Sequence, residues 1–142
     1  MIENFFRAID FVLSWEKYKS DDPDDTGGLT IWGISSKSYP EDVHKMSFMT
    51  PDKAKEVAIG IYKSDYWDKL QCNDREYPLD IICFDCGVNQ GINRALNILS
   101  VTQDWRDYLL YRIMRYTDLG KTNPKFLRGW LNRTLSLWKM VK

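Results

Sequence analysis

Glu16 and Asp25 are carboxylic acids nine residues apart, and Thr30 follows five residues after the second. Glu16 closes an apolar stripe, whereas Asp25 ends the acid-rich run Asp21-Asp22-Pro23-Asp24-Asp25, ahead of Thr26-Gly27-Gly28. One acid in a dry place and another in a wet turn suit general acid–base work, in which one carboxyl is protonated while its partner is ionised. Breaking a glycosidic bond needs such a pair, with the carboxyl groups held roughly 5–10 Å apart. A nine-residue reversal spans that gap. Thr30 supplies a hydroxyl to hold a water or orient a carboxylate. The competing reading of Glu16 is a helix-end acid that merely turns to solvent.

Other chemistries fit less well. Asp22 to Gly27 begins like a calcium loop, with acids at positions one and three and glycine at six, but position twelve is Gly33 rather than a bidentate glutamate. Cys83-x-x-Cys86 has no second Cys/His pair, and His44 is the only histidine, so zinc lacks four ligands and a nucleophilic Ser/His or Cys/His relay lacks its base. No glycine-rich loop precedes a Lys-Ser/Thr pair for phosphate. No metal and no cofactor is expected.

The elements that must position these residues are mostly helical. Ile2, Phe5, Phe6, Ile9, Val12 and Leu13 recur at helical spacing, which puts Glu16 at the end of a first helix on its buried stripe. Asp21 to Gly28 is turn chemistry, and Leu29 to Ile34 favours an extended or hairpin form. Thr50-Pro51 reads as an N-cap followed by proline at the first helical position, with Ala54, Val57, Ala58, Ile61 and Tyr62 carrying that helix on. Pro78 opens a further helix with Leu79, Ile82, Cys83 and Cys86 that breaks near Gly87 to Gly91. Helices are expected over Ile92 to Ser100 and Trp105 to Tyr116. Asn123-Pro124 repeats the cap-then-proline signal before a last stripe of Phe126, Leu127, Trp130, Leu131, Leu135 and Trp138.

At 142 residues the chain can bury a real core, and 44% hydrophobic residues argue against disorder. Aromatics make up 14%, including six tryptophans, which serve as core material and also as flat surfaces for sugar rings. The net charge of zero hides an asymmetry: residues 1–101 carry 11 Lys+Arg against 17 Asp+Glu, and residues 102–142 carry 9 against 3. A solvated helix face explains the basic end, as does an anionic polymer partner. Cys72, Cys83 and Cys86 are too few and too irregular for a disulfide framework and read as buried thiols. Glu3 and Asp10 interrupt any leader-like pattern, and no apolar stretch reaches membrane-spanning length. The expectation is synthesis in a reducing cytoplasm without a signal peptide.

Glu16 to Ser35 resembles the start of the lysozyme-like glycoside hydrolase family 108, with the signature Glu-Gly-Gly-Tyr-x-Asn-Asp-Pro-x-Asp-Pro-Gly-Gly-x-Thr-x-x-Gly-Ile-Thr. Glu16, Asp22, Pro23, Asp25, Gly27, Gly28, Thr30, Gly33 and Ile34 match in register without a gap. Ile61 to Asp68 is similar to the family's Tyr-x-x-x-Tyr-Trp segment, and Phe84 to Gly91 to its Phe-Asp-x-x-Val-Asn-x-Gly helix end. Phe126 to Arg133 resembles the tail of the peptidoglycan-binding-type segment that commonly follows, here shortened. The layout of Glu16, Asp25 and Thr30 is also similar to the Glu, Asp, Thr trio of phage-type lysozymes. The family's Gly-Gly after the acid is Lys17-Tyr18 here, and its following Tyr is Lys19, so positive charge flanks the acid.

The resemblance implies a mainly α, lysozyme-like helical domain with a small β-hairpin beside the catalytic Glu. It further implies a catalytic lobe over 1–101 and a C-terminal helical hairpin over 102–142 packed on it as a single compact unit. The implied activity is a muramidase that cleaves the β-1,4 bond between N-acetylmuramic acid and N-acetylglucosamine in bacterial peptidoglycan. Glu16 is the implied general acid, with Asp25 and Thr30 as its catalytic companions. Candidate substrate contacts are Asp22, Trp32, Tyr66 and Asn89, though Tyr66 also suits packing and Asn89 a helix cap. Trp130 and Trp138 read as core. No nucleic acid partner, no stable membrane insertion and a monomer are expected, in the manner of an endolysin that reaches the wall after release or export. The alternative is a catalytically degenerate lysozyme-like module that binds glycan or protein.

Overall fold

A computed structural model describes residues 2–24 and 28–142. The first apolar stripe forms helix α1, Ile2–Trp15, in which Phe5, Ala8, Ile9, Val12 and Leu13 are buried. Ile2 and Phe6 of that stripe face solvent instead. Three strands follow, β1 (Lys19–Ser20), β2 (Thr30–Ile31) and β3 (Ile34–Ser35), in an antiparallel sheet of order β1-β2-β3. Its register pairs Ser20 with Thr30, Thr30 with Ser35, and Ile31 with Ile34. The expected hairpin is therefore β2–β3, with β1 added at its edge. Trp32 and Gly33 form its two-residue turn, both with positive φ (50° and 80°), as a type I′ turn requires.

Helix α2, Pro40–Met46, buries Val43 and Met46; its seven residues are too few to show a period in the sequence. Helix α3, Pro51–Tyr62, begins as expected, with Thr50 accepting from the Lys53 N–H and proline in the first turn. A π-helical turn, Lys63–Trp67, continues it. Helix α4, Leu79–Gln90, is buried over Leu79–Gly87, so it has no solvent face in that stretch. It runs through Gly87 and ends at Gly91, whose φ of 93° suits glycine. Any Cβ at Gly87 would meet Leu70 Cδ1 at 2.6 Å.

Helices α5 (Ile92–Leu99), α6 (Trp105–Gly120) and α7 (Pro124–Val141) complete the seven α-helices among the described residues. Asp104 caps α6 by accepting from the N–H groups of Arg106 and Asp107, at 2.8 and 3.1 Å. Asn123 does not cap α7. Its amide donates to the Leu119 carbonyl at 3.1 Å and satisfies the end of α6 instead. Gly120 allows close approach of Leu127, which would lie 2.9 Å from a Cβ there.

The chain falls into two compact units: Ile9–Asp65 in one, Met1–Ala8 and Tyr66–Lys142 in the other. The first holds the sheet and a core of Ile9, Val12, Ile31, Ile34, Val43, Met46, Ala54, Ala58 and Tyr62. The second is built around Phe5, Trp67 and Phe84, whose rings meet edge-on at centroid distances of 5.4, 6.0 and 5.5 Å. Trp67 of the Tyr66-Trp67 pair is accordingly core, and its indole N–H donates to Asn73 at 2.9 Å. Trp130 is half-buried, stacked between Tyr116 and Phe126, while Trp138 is 37% exposed rather than core. Its ring instead carries the Lys142 ammonium at 4.5 Å, on the last turn of α7. No helix among the described residues is long and apolar enough to cross a membrane.

Candidate functional site

Glu16 lies one residue beyond α1, where the helix has given way to a bend, and is half-buried. Its side chain is laid against Gly33 of the β2–β3 turn. A Cβ at Gly33 would stand 2.8 Å from Glu16 Cγ and 2.9 Å from Cδ, and would also collide with the Tyr62 hydroxyl. Glycine at 33 is thus required twice, once by φ and once by the carboxyl pressed on it. Tyr62 closes the seat from α3: its buried hydroxyl donates to the Trp32 carbonyl at 2.9 Å. Carboxyl, phenol and turn are neighbours because residues from α1, the sheet and α3 converge on one glycine.

Trp32 is a bulky residue in the left-handed region, a conformation that persists only where neighbours fix it. Its backbone N–H donates to the Tyr18 carbonyl and its indole N–H to the Pro51 carbonyl, each at 2.9 Å. The Tyr18 ring lies 5.6 Å away at 57°, and the Lys55 ammonium stands 5.6 Å from the indole centroid. Trp32 is half-buried, so part of the ring remains available to a ligand.

Thr30 pairs with Ser20 in the sheet, and its hydroxyl donates to the Ser20 carbonyl at 3.3 Å. The proton is committed to the backbone while the oxygen's lone pairs remain acceptors. Asp22 Oδ1 accepts from the Asp24 N–H at 2.9 Å, the Asx arrangement that starts a turn. Asp25 lies outside the described residues. Glu16, Asp22, Thr30 and Trp32 therefore share the unit Ile9–Asp65, whereas Tyr66 and Asn89 belong to the other unit.

Asn89 lies within α4 rather than at a free helix end, and its side-chain oxygen accepts from the Tyr116 hydroxyl. That hydroxyl accepts in turn from Arg112 Nη2 at 3.0 Å. Arg112 also pairs with Asp85 at 2.8 Å, and Arg133 reaches the same carboxylate at 2.7 Å. Burial works to raise Asp85, yet the Arg133 and Arg112 guanidiniums overcome it and hold the carboxyl below its ordinary range. Cys72, Cys83 and Cys86 are buried thiols, as the sequence suggests. Burial pushes Cys86 above the usual thiol value despite the opposing charge of Arg112.

Sequence reasoning places Tyr62 on an apolar stripe and Gly33 in a motif, and gives neither a role beside Glu16. The signal for Gly33 is local: Trp-Gly between two β-prone pairs is the length of a tight hairpin turn. Nothing local marks Tyr62, which meets the turn from a distant part of the chain.

Fold and site together define a mainly α, lysozyme-like protein with a half-buried glutamate at the edge of a small sheet. The solved structure of Brucella abortus SagA is similar over 99% of this chain and 95% of that one, with a TM-score of 0.79 at 22% identity. Among curated proteins no sequence matches the chain. The family model for glycosyl hydrolase 108 matches residues 9–91, and the chain belongs to that family. It is a glycoside hydrolase of the lysozyme type, which acts on peptidoglycan.

Proposed function

We propose that the protein is a muramidase that cleaves the β-1,4 bond between N-acetylmuramic acid and N-acetylglucosamine at the bacterial wall, with Glu16 as general acid. The observation that carries this reading is the seating of Glu16 on Gly33 beneath Tyr62. A carboxyl packed on a backbone turn is held in one place, as a group that must deliver a proton to one particular oxygen has to be. In this reading Glu16 protonates the leaving glycosidic oxygen. Asp25 acts as second carboxylate. Thr30, whose hydroxyl donates to the Ser20 carbonyl, accepts a hydrogen bond from the attacking water and so positions it. Asp22 is a substrate contact, and the exposed part of Trp32 packs on a sugar face. The protein works as a monomer, in the manner of an endolysin.

The test is turbidity clearing of purified cell walls by the native protein and by Glu16→Gln, with the new reducing ends identified. Removal of a general acid should cut the rate roughly 10²–10⁴-fold and leave folding intact. Equal clearing by both proteins, or new reducing ends on N-acetylglucosamine, would overturn the assignment.

A further inference from the structure

The loop that enters α4 and the loop that enters α6 enclose a pocket of about 300 Å³, which the reading above does not use. Its walls include Asp74, Arg75, Glu76 and Tyr77 from the first loop, Gln103 from the second and Trp105 from the first turn of α6, all within one compact unit. That volume is at the small end of ligand sites and suits a single ring rather than an extended chain. Several lining groups are already held in place. Arg75 Nε donates to the Leu70 carbonyl at 2.9 Å, and Gln103 donates its amide N–H to the Leu99 carbonyl at 2.7 Å. The Arg7 guanidinium stands 5.1 Å from the Tyr77 ring centroid, and Arg106 stands 4.3 Å from that of Trp105. Fixed groups bind with less loss of side-chain freedom.

Two rings, two carboxylates, an amide and a guanidinium are the groups that recognise a sugar. Ring faces pack on C–H surfaces, and planar polar groups pair with neighbouring hydroxyls. An acetamido substituent fits the same set, its N–H donated to a carboxylate and its carbonyl accepting from Arg75. We propose that this pocket is a second glycan site that takes one N-acetylated pyranose of the wall polymer and holds the enzyme on its insoluble substrate between cuts. The proposal rests on the reading of peptidoglycan as substrate.

The experiment uses the full chain carrying Glu16→Gln, so that the polymer is not consumed, with Trp105→Ala or Glu76→Ala added. Retention on insoluble peptidoglycan is measured by sedimentation. The β-1,4 tetramer of N-acetylglucosamine is titrated while the Trp105 indole and Gln103 amide resonances are followed. Saturable shifts at both resonances are expected, with retention about tenfold weaker in each variant at an unchanged unfolding midpoint. Glu76 is exposed, so its removal tests the site even if the Trp105 variant folds poorly. Absence of shifts at both resonances, or retention equal to the parent in both variants, would overturn the pocket. Wall clearing by the native protein separates the two readings. Clearing without a response at Trp105 overturns the pocket alone, whereas a response at Trp105 without clearing supports the pocket and overturns the hydrolase assignment.

Discussion

Gly33 is where backbone geometry and the acid meet. Its φ of 80° excludes an easy side chain, and even a methyl group would meet Glu16 Cδ and the Tyr62 hydroxyl. Gly33→Ala should therefore cost about 1–3 kcal/mol from backbone strain alone. It should cost activity more steeply than stability, because the carboxyl is the group displaced. Urea unfolding measured beside wall clearing checks this: a fully active variant would show that Glu16 does not depend on its seat. The motif match aligned Gly33 with the family signature without explaining it, since a sequence states that a glycine is present and not what is pressed against it. Glu16 was legible because it ends an apolar stripe. Its displacement to one residue beyond the helix was not, since helix ends are the least periodic part of a pattern.

At the scale of elements, the turn between β2 and β3 is held from α3. The Tyr62 hydroxyl donates to the Trp32 carbonyl, and Pro51, at the start of the same helix, accepts from the Trp32 indole. Tyr62→Phe removes one hydrogen bond and should cost roughly 1 kcal/mol of stability. If that bond fixes the turn beneath Glu16, catalytic rate should fall severalfold with little change in apparent affinity for the wall. A variant that clears walls at the native rate would confine Tyr62 to packing. Helix α3 itself was readable from Thr50-Pro51, where a cap and a proline coincide. Asn123-Pro124 carries the same kind of signal, yet the asparagine serves the preceding helix, because its N–H groups can donate to the carbonyls that end one helix as well as its oxygen can accept from the N–H groups that begin the next. A short polar side chain between two helices does not declare which one it satisfies.

Across the larger unit, charge patterning misleads in an instructive way. The basic surplus of residues 102–142 reads as a solvated face or a polymer-binding tail, but Arg112 and Arg133 are buried on Asp85. Two of the nine cations thus hold α6 and α7 to α4 and are withheld from any polymer. Composition cannot reveal this, because the partner lies 27 and 48 residues away in sequence. The triad is a poor source of net stability while intact, but its loss is expensive: one partner removed leaves buried charge uncompensated, at about 3–5 kcal/mol. Asp85→Asn should destabilise by that amount. The acid limb supplies a second readout. Asp85 is held below its ordinary value in the folded protein, so its contribution is fully present above the unfolded carboxyl value of about 4 and is lost as pH falls through the lower folded value. Urea midpoints of the native protein should therefore fall steeply below about pH 4, whereas those of Asp85→Asn should begin lower and change less over the same interval. Parallel curves for the two proteins would mean that other carboxylates govern acid unfolding and that the triad's charge is not what joins the three helices.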